Sequence, residues 1–422
     1  MIPSHPVARP VPVQGILWSV LIICVVVAGL LNPTRAFATP AYARRYNDAA
    51  CATCHAPMPP RLNNVGMVFR RWGFRLPDAD DQGKLTVKMI PAHGIGEALA
   101  VQTVINAVGD QVSVPGANRG SLQLAEVGLV GGVAIDDHLS TSMIYLLRNG
   151  EGASELEDVE VQGNFGKPGG QFSVRAGLAE TLNWQKAGIG VLTASSPIVL
   201  GEDPVGSVGN FSGFGLGVKQ VEAELGYTMT SLNKGKIMST MLSAAALNGV
   251  NPDGSAAQRN PAGGTDILVQ ATQLFGSQNT TGAFYYHGRT VVDPEGLLPS
   301  PGPFDNKFTR FGLLGNFAPR DWVELAGSIV GGEDKSAELG ATKQMRGGYV
   351  ELVGRPVENL IGVYRWEQAD PDRSTGGDLV RADVFSVTCQ ALMHAFVTGE
   401  YRQVKVGDVN THSWVASLRF IY

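Results

Sequence analysis

Cysteine is scarce in this chain of 422 residues: Cys24, Cys51, Cys54 and Cys389 are the only four, which excludes a disulfide framework. Charged residues make up only 17%, and the formal charge of −5 leaves no basic excess to hold nucleic acid. Low charge does not mean disorder here, because 44% of the residues are hydrophobic. There is no collagen-like period behind the 53 glycines. Instead the aromatic residues are spread through short runs of alternating polarity, the texture of an all-β protein rather than a helical one.

The N-terminus sets the expected compartment. Arg9 precedes an apolar run from Gly15 to Leu31, and Ala36-Phe37-Ala38 then supplies the small-residue pattern of a signal-peptidase site, so residues 1–38 read as a signal peptide. An uncleaved anchor is the alternative, disfavoured because the run falls short of the ~20 residues that span a bilayer. Cys24 lies within this segment. Without Arg9 and Arg35, 31 basic residues face 38 acidic ones, a formal −7 for the exported chain.

Cys51-Ala52-Thr53-Cys54-His55 is the motif with chemistry in it. In C-x-x-C-H two thiols add across the porphyrin vinyl groups, and the adjacent histidine stands where its ring nitrogen binds the iron, so the motif predicts one covalent c-type haem on Cys51, Cys54 and His55. A zinc site would need further ligands, and Cys389 is distant and in a strand-like segment. A redox pair or a plain disulfide are the remaining alternatives. Pro57, Pro59 and Pro60 bar helix directly after the histidine, and Leu62, Val65, Phe69 and Trp72 then recur at roughly helical spacing. For the sixth iron ligand the candidates are Met58, Met67, Met89 and His93. Met58 is too close to His55 to reach the opposite face, and Met67 reads as a core residue of the short helix. Met89 and His93 lie far enough along for the chain to pass round the ring and are favoured equally, with Met67 and an open site as the remaining alternatives.

From about Glu97 onward the period is two. Phe172, Val174, Ala176 and Leu178 alternate with Ser173, Arg175 and Gly177; Val221, Ala223, Leu225 and Tyr227 alternate with Glu222, Glu224 and Gly226. The chain ends Trp414, Ala416, Leu418, Phe420 and Tyr422 in the same alternation, an ending suited to the closing strand of an outer-membrane barrel. Such barrels have short turns on the periplasmic side, long external loops and an even strand number. Long connections are expected near 403–411, 368–378, 332–345, 291–306, 248–264, 181–210 and 109–118, and an intermediate one at 149–155. Short ones are expected near 391–393, 355–357, 318–321, 276–280, 230–236, 166–170 and 135–137. This parity holds if 211–229 is one strand with a bulge at Lys219-Gln220, where its apolar phase switches. The count is then 16, with 14 or 18 if one hairpin is misplaced, and the motif segment and Tyr422 share the periplasmic side. The expected organisation is a monohaem cytochrome segment at 39–95 and a porin-like β-barrel at 96–422, mostly β with a small N-terminal helical part. A segment as short as 39–95 shields a haem poorly alone, so it is expected to sit in the periplasmic mouth and borrow the lumen wall.

Ala41-Tyr42-Ala43-Arg44-Arg45-Tyr46, the C-x-x-C-H motif, Pro60-Arg61-Leu62-Asn63-Asn64-Val65-Gly66 and Phe69-Arg70-Arg71-Trp72-Gly73-Phe74 together resemble the fused outer-membrane cytochrome–porins of iron-oxidising bacteria. The resemblance covers the first ~55 residues after the signal peptide well and the barrel only in style. It implies haem on Cys51, Cys54 and His55, electrons taken from extracellular Fe(II), and delivery to a periplasmic cytochrome or copper protein. Electron transfer needs no acid–base pair, so His138, His287, His394 and His412 are read as strand or loop residues. Asp253, Asp293, Glu295 and Asp305 offer hard oxygen ligands on external loops that could attract Fe(II), although ordinary solvated loop charge is the favoured reading of them. The alternatives are a solute porin with a haem-bearing gating or sensing plug, lined by Arg175, Arg310, Arg365 and Arg402, and a soluble periplasmic β protein carrying a haem.

Overall fold

The computed structural model describes residues 46, 51–56, 61–80, 84–90, 98–112, 119–148, 154–182, 192–200, 216–233, 236–249, 262–292, 304–336, 341–373, 379–392 and 394–421. Within them a single turn of 3-10 helix, Cys51–Thr53, leads to helix α1, Asn64–Arg71. A small antiparallel hairpin follows, β1 (Leu76–Ala79) with β2 (Leu85–Lys88). Sixteen strands come next. They are β3 (Leu99–Val112), β4 (Arg119–Ala134), β5 (Leu139–Arg148), β6 (Glu155–Lys167), β7 (Gly170–Glu180), β8 (Lys219–Asn233), β9 (Lys236–Leu247), β10 (Asp266–Phe275), β11 (Asn279–Val292), β12 (Phe304–Arg320), β13 (Val323–Ser336), β14 (Ala341–Val357), β15 (Leu360–Asp370), β16 (Val380–Leu392), β17 (Ala395–Val406) and β18 (Val409–Ile421). Each pairs antiparallel with its neighbours in sequence, and β18 pairs with β3 to close the barrel.

The barrel is inverted relative to a soluble protein. On β7, Phe172 and Val174 are exposed while Gln171, Ser173 and Arg175 are buried; on β12, Leu313 is 62% exposed while Arg310 and Asn316 are buried. Period two puts alternate residues on opposite faces, so polar groups point into the lumen and apolar ones outward, the arrangement a bilayer requires. Closure removes the sheet edges, so the ladder satisfies the backbone polar groups without water.

The parity expected from loop lengths is the parity observed. Short connections join β4 to β5, β6 to β7, β8 to β9, β10 to β11, β12 to β13, β14 to β15 and β16 to β17, all at one end, and the start of β3 and the end of β18 lie at that same end, where Gln102 faces Ile421. Some local expectations are corrected. Strand β8 begins at Lys219, and its register with β7 runs unbroken from Glu180↔Lys219 to Gly170↔Met229. The apolar phase switch at Lys219-Gln220 therefore marks where the strand starts, not a bulge. The connection expected at 403–411 is a tight turn, because β17 and β18 stay paired out to Val406↔Val409. Lys405, Asn410 and Thr411 look like loop by composition but are held by cross-strand pairing. The helix expected across Leu62 to Phe74 is shorter: Asn63 caps it by accepting from the Gly66 amide, and Gly73 and Phe74, both at positive φ (67° and 62°), turn the chain away.

Candidate functional site in the short-turn mouth

The segment holding the C-x-x-C-H motif is folded on itself by backbone bonds. The Asn63 amide donates to the Cys54 carbonyl at 2.9 Å, and the Asn63 side-chain amide donates to the carbonyls of Ala52 and Thr53 at 3.0 and 3.1 Å. Asn63 thus ties the cysteine turn to the N-terminus of α1. Gly66 makes the approach possible, since a Cβ there would stand 2.2 Å from the Cys54 carbonyl oxygen. Cys54 and His55 are half-buried. His55 bridges to Leu62, and its Nδ1 lies 3.0 Å from the Arg61 carbonyl. With Nδ1–H donating to that carbonyl, Nε2 is the ring nitrogen that would bind a metal.

This folded segment is locked into the lumen at the short-turn end. Arg61, 1% exposed, is held by Glu324 of β13 and, at 2.5 Å, by Glu351 of β14. Asn64 reaches the β10–β11 turn, its amide donating to the Ser277 carbonyl and its side chain to the Gly276 carbonyl. Arg71 pairs with Glu224 of β8, while its carbonyl accepts from Gln162 and Asn164 of β6. Room for the Arg71 guanidinium exists because residue 226 is glycine: a Cβ there would be 1.7 Å from its Nη2. Arg75 donates to the Trp72 carbonyl at 2.6 Å and to the Asp136 carbonyl in the β4–β5 turn at 2.5 Å. Burial pulls the Arg75 guanidinium below its ordinary pKa.

Apolar contacts complete the seat. Met67, Val68 and Trp72 pack with Ile237, Met241 and Leu274 of the barrel wall, with Leu85 and Val87 of the hairpin against them. On the other side of α1, Tyr46, Phe69 and Phe74 form an edge-to-face cluster joined by Leu76 and Ile90, and the Tyr46 hydroxyl donates to the Phe74 carbonyl. From the opposite end, residues 192–200 also enter the lumen. Ala194 and Ser195 amides donate to Glu400, the Ile198 amide to Glu367, and Arg365 donates to Thr193 Oγ1 and to the Ser195 carbonyl.

The sequence-predicted residues fall out as follows. Cys51 lies in the 3-10 turn beside Cys54 and His55, so the three motif residues stay together as a compact unit. Met67 belongs to the core against the wall, and Met89 is half-buried just after β2. His93 and Met58 lie outside the described residues, as do Asp253, Asp293 and Glu295. Among the described residues no cluster of three or more His, Cys, Asp or Glu is placed to hold a metal ion. Asp305 pairs with Arg289 at 2.5 Å. Arg175, Arg310 and Arg365 do point inward, but each is neutralised: by Glu160, Glu222 and Glu224, by Asp334, and by Glu351 and Glu367 respectively. His138 sits in the β4–β5 turn stacked on Phe165, His287 and His412 are in strands, and His394 is at the β16–β17 turn. The plug's docking arginines were not singled out as functional. The available signal was a run of arginines, Arg61, Arg70, Arg71 and Arg75, with no acidic residue among positions 61–75, set against many carboxylates at inward strand positions.

Closed, antiparallel, sixteen-stranded and apolar outside, the chain has the porin-like outer-membrane β-barrel fold. It is similar to an anion-selective porin from Comamonas acidovorans, with a TM-score of 0.54 at 10% identity over 77% of this chain and 98% of that one. It is likewise similar to a loop-deletion mutant of OmpT, an outer membrane protein of Vibrio cholerae, with a TM-score of 0.51 at 10% identity over 77% of this chain and 99% of that one. At such identity the likeness concerns the fold. No protein-family model matches the sequence, and no curated protein matches it.

Proposed function

We propose that this protein is an outer-membrane barrel whose N-terminal segment carries one covalent c-type haem in the periplasmic mouth and passes electrons from an extracellular donor, Fe(II) foremost, to a periplasmic cytochrome or copper protein. The observation that carries this reading is the C-x-x-C-H turn folded against α1 with His55 Nδ1 engaged by the Arg61 carbonyl, the whole seated inside a closed barrel. The residues present fit the group: Cys51 and Cys54 would supply the thiols, and His55, with Nδ1 on the Arg61 carbonyl, would bind the iron through Nε2. When bound, the haem supplies one-electron chemistry that asks of the protein only proximity and a matched potential. Met89 and His93 remain the candidates for the far side, since Met67 is committed to the wall-facing core. The wall excludes water from the buried plug face through Trp72, Ile237 and Leu274.

A second reading, a solute porin with a haem-bearing gating plug, has its own support. The fold is porin-like, and the inward-facing Arg402, Ser417 and Asn106 on β17, β18 and β3 are only half-buried, unlike most inward residues of β6 to β16, which are buried. Two measurements on the purified protein separate the readings. Rapid reduction of a c-type absorption band by Fe(II) supports the relay; steady conductance across a planar bilayer without such reduction supports the porin.

A further inference from the structure

We infer that Glu351 and Glu324 are positioning residues for the iron ligand His55, acting through Arg61. The inference rests on the haem reading above and deepens it. A ligating histidine is oriented, and its basicity set, by what its second ring nitrogen bonds. Here that partner is the Arg61 carbonyl, 3.0 Å from His55 Nδ1, which also accepts from the Ala56 amide at 3.3 Å.

The position of this carbonyl is fixed from outside the segment. The Arg61 guanidinium is buried and divided between two strands, one nitrogen on Glu324 of β13 and the other on Glu351 of β14. Both carboxylates have a second partner in the wall, Glu324 on the same oxygen that takes Arg61 and Glu351 on the other. Asn316 of β12 donates to Glu324 at 2.9 Å, and Arg365 of β15 lies 3.5 Å from the second oxygen of Glu351. A planar guanidinium held at both ends of its fork has little freedom, and the main chain of residue 61 inherits the constraint. The barrel wall therefore sets the imidazole through one arginine, across a sequence distance of 263 and 290 residues. The second docking pair differs in kind: Arg71 pairs with Glu224 of β8 and its carbonyl accepts from Gln162 and Asn164 of β6, whereas the carbonyl that meets His55 Nδ1 is that of Arg61.

That difference supplies the test. Full-length wild type, Glu351→Gln, Glu324→Gln and Glu224→Gln are purified with haem attached, and ferric EPR is recorded alongside the redox midpoint potential. Loss of any lumen carboxylate raises the potential through its charge alone. The EPR g-values would report the orientation and basicity of the His55 imidazole, and they are expected to shift and broaden in Glu351→Gln and Glu324→Gln but to match wild type in Glu224→Gln. If Glu351→Gln fails to insert, Glu324→Gln decides the matter. Unchanged g-values in both, or equal shifts in all three, overturn this inference while leaving the haem reading standing. A wild-type protein without a c-type pyridine haemochrome spectrum overturns the haem reading and this inference with it.

Discussion

Arg61 of the N-terminal plug and Arg365 of the barrel wall share one carboxylate: Glu351 takes Arg61 on one oxygen at 2.5 Å and faces Arg365 from the other at 3.5 Å. Arg365 in turn holds Thr193 and Ser195 of the segment that enters from the opposite end. The two inserts that occupy the lumen thus meet in a single buried chain of charges. Such a chain is weak evidence of net stabilisation, since burying ions is costly, but breaking one link strips a charged partner from its buried neighbours.

Arg61→Met is therefore expected to cost about 3–5 kcal/mol of plug stability, because Glu324 and Glu351 lose their shared cation in a buried place. Amide hydrogen exchange checks this: the amides of Asn64–Arg71 should exchange far faster while the β13 and β14 ladders stay protected. Uniform exchange across plug and barrel would contradict the separate docking of the plug.

Gly226→Val places a side chain where the Arg71 guanidinium lies, leaving the plug's own sequence unchanged. Overpacking of this sort costs about 1–3 kcal/mol, and the displaced guanidinium also loses Glu224. Limited proteolysis should cut the N-terminal segment earlier in this variant than in wild type, with the heat-resistant barrel band on a gel unchanged.

Leu313→Arg tests the orientation of the faces. Leu313 is 62% exposed on the outer surface of β12, and an arginine near the bilayer midplane costs about 2–4 kcal/mol. Reversible unfolding from lipid vesicles should show that loss. Thr290→Ser, a small change at an inward position, should leave stability near wild type.

The β4–β5 turn carries a pH dependence. The Asp136 carboxylate accepts from the His138 and Leu139 amides, both at 2.7 Å, and these bonds hold it below the ordinary carboxylate range. A depressed folded pKa contributes stability that is complete above the unfolded pKa and fades as pH falls through the folded value. Protection of the His138 and Leu139 amides should accordingly survive mild acid and disappear only below the usual aspartate range. Asp136→Ala should abolish that dependence.

Much of this architecture was legible in the chain because a barrel wall repeats one rule. Phe172 to Leu178 and Trp414 to Tyr422 show their two faces without knowledge of their partners, and loop parity then fixed the strand number. The exceptions have local causes. Lys219 starts a strand where a composition switch suggested a bulge, and Lys405 and Asn410 are polar residues paired in a ladder. The motif could be read because its chemistry is contiguous. The seat of the plug could not, because Arg61 finds Glu324 and Glu351, and Arg71 finds Glu224, only after closure brings distant strands to one mouth.

The central claim is that Cys51, Cys54 and His55 hold a redox-active haem within this barrel. Stopped-flow mixing of the purified, oxidised protein with Fe(II), followed at the c-type α band, tests it most directly. The account predicts a c-type band that gains full reduced intensity on mixing and is absent from Cys51→Ser/Cys54→Ser. A protein that shows no such band, or one whose band stays oxidised under Fe(II) while the barrel conducts ions, would contradict it.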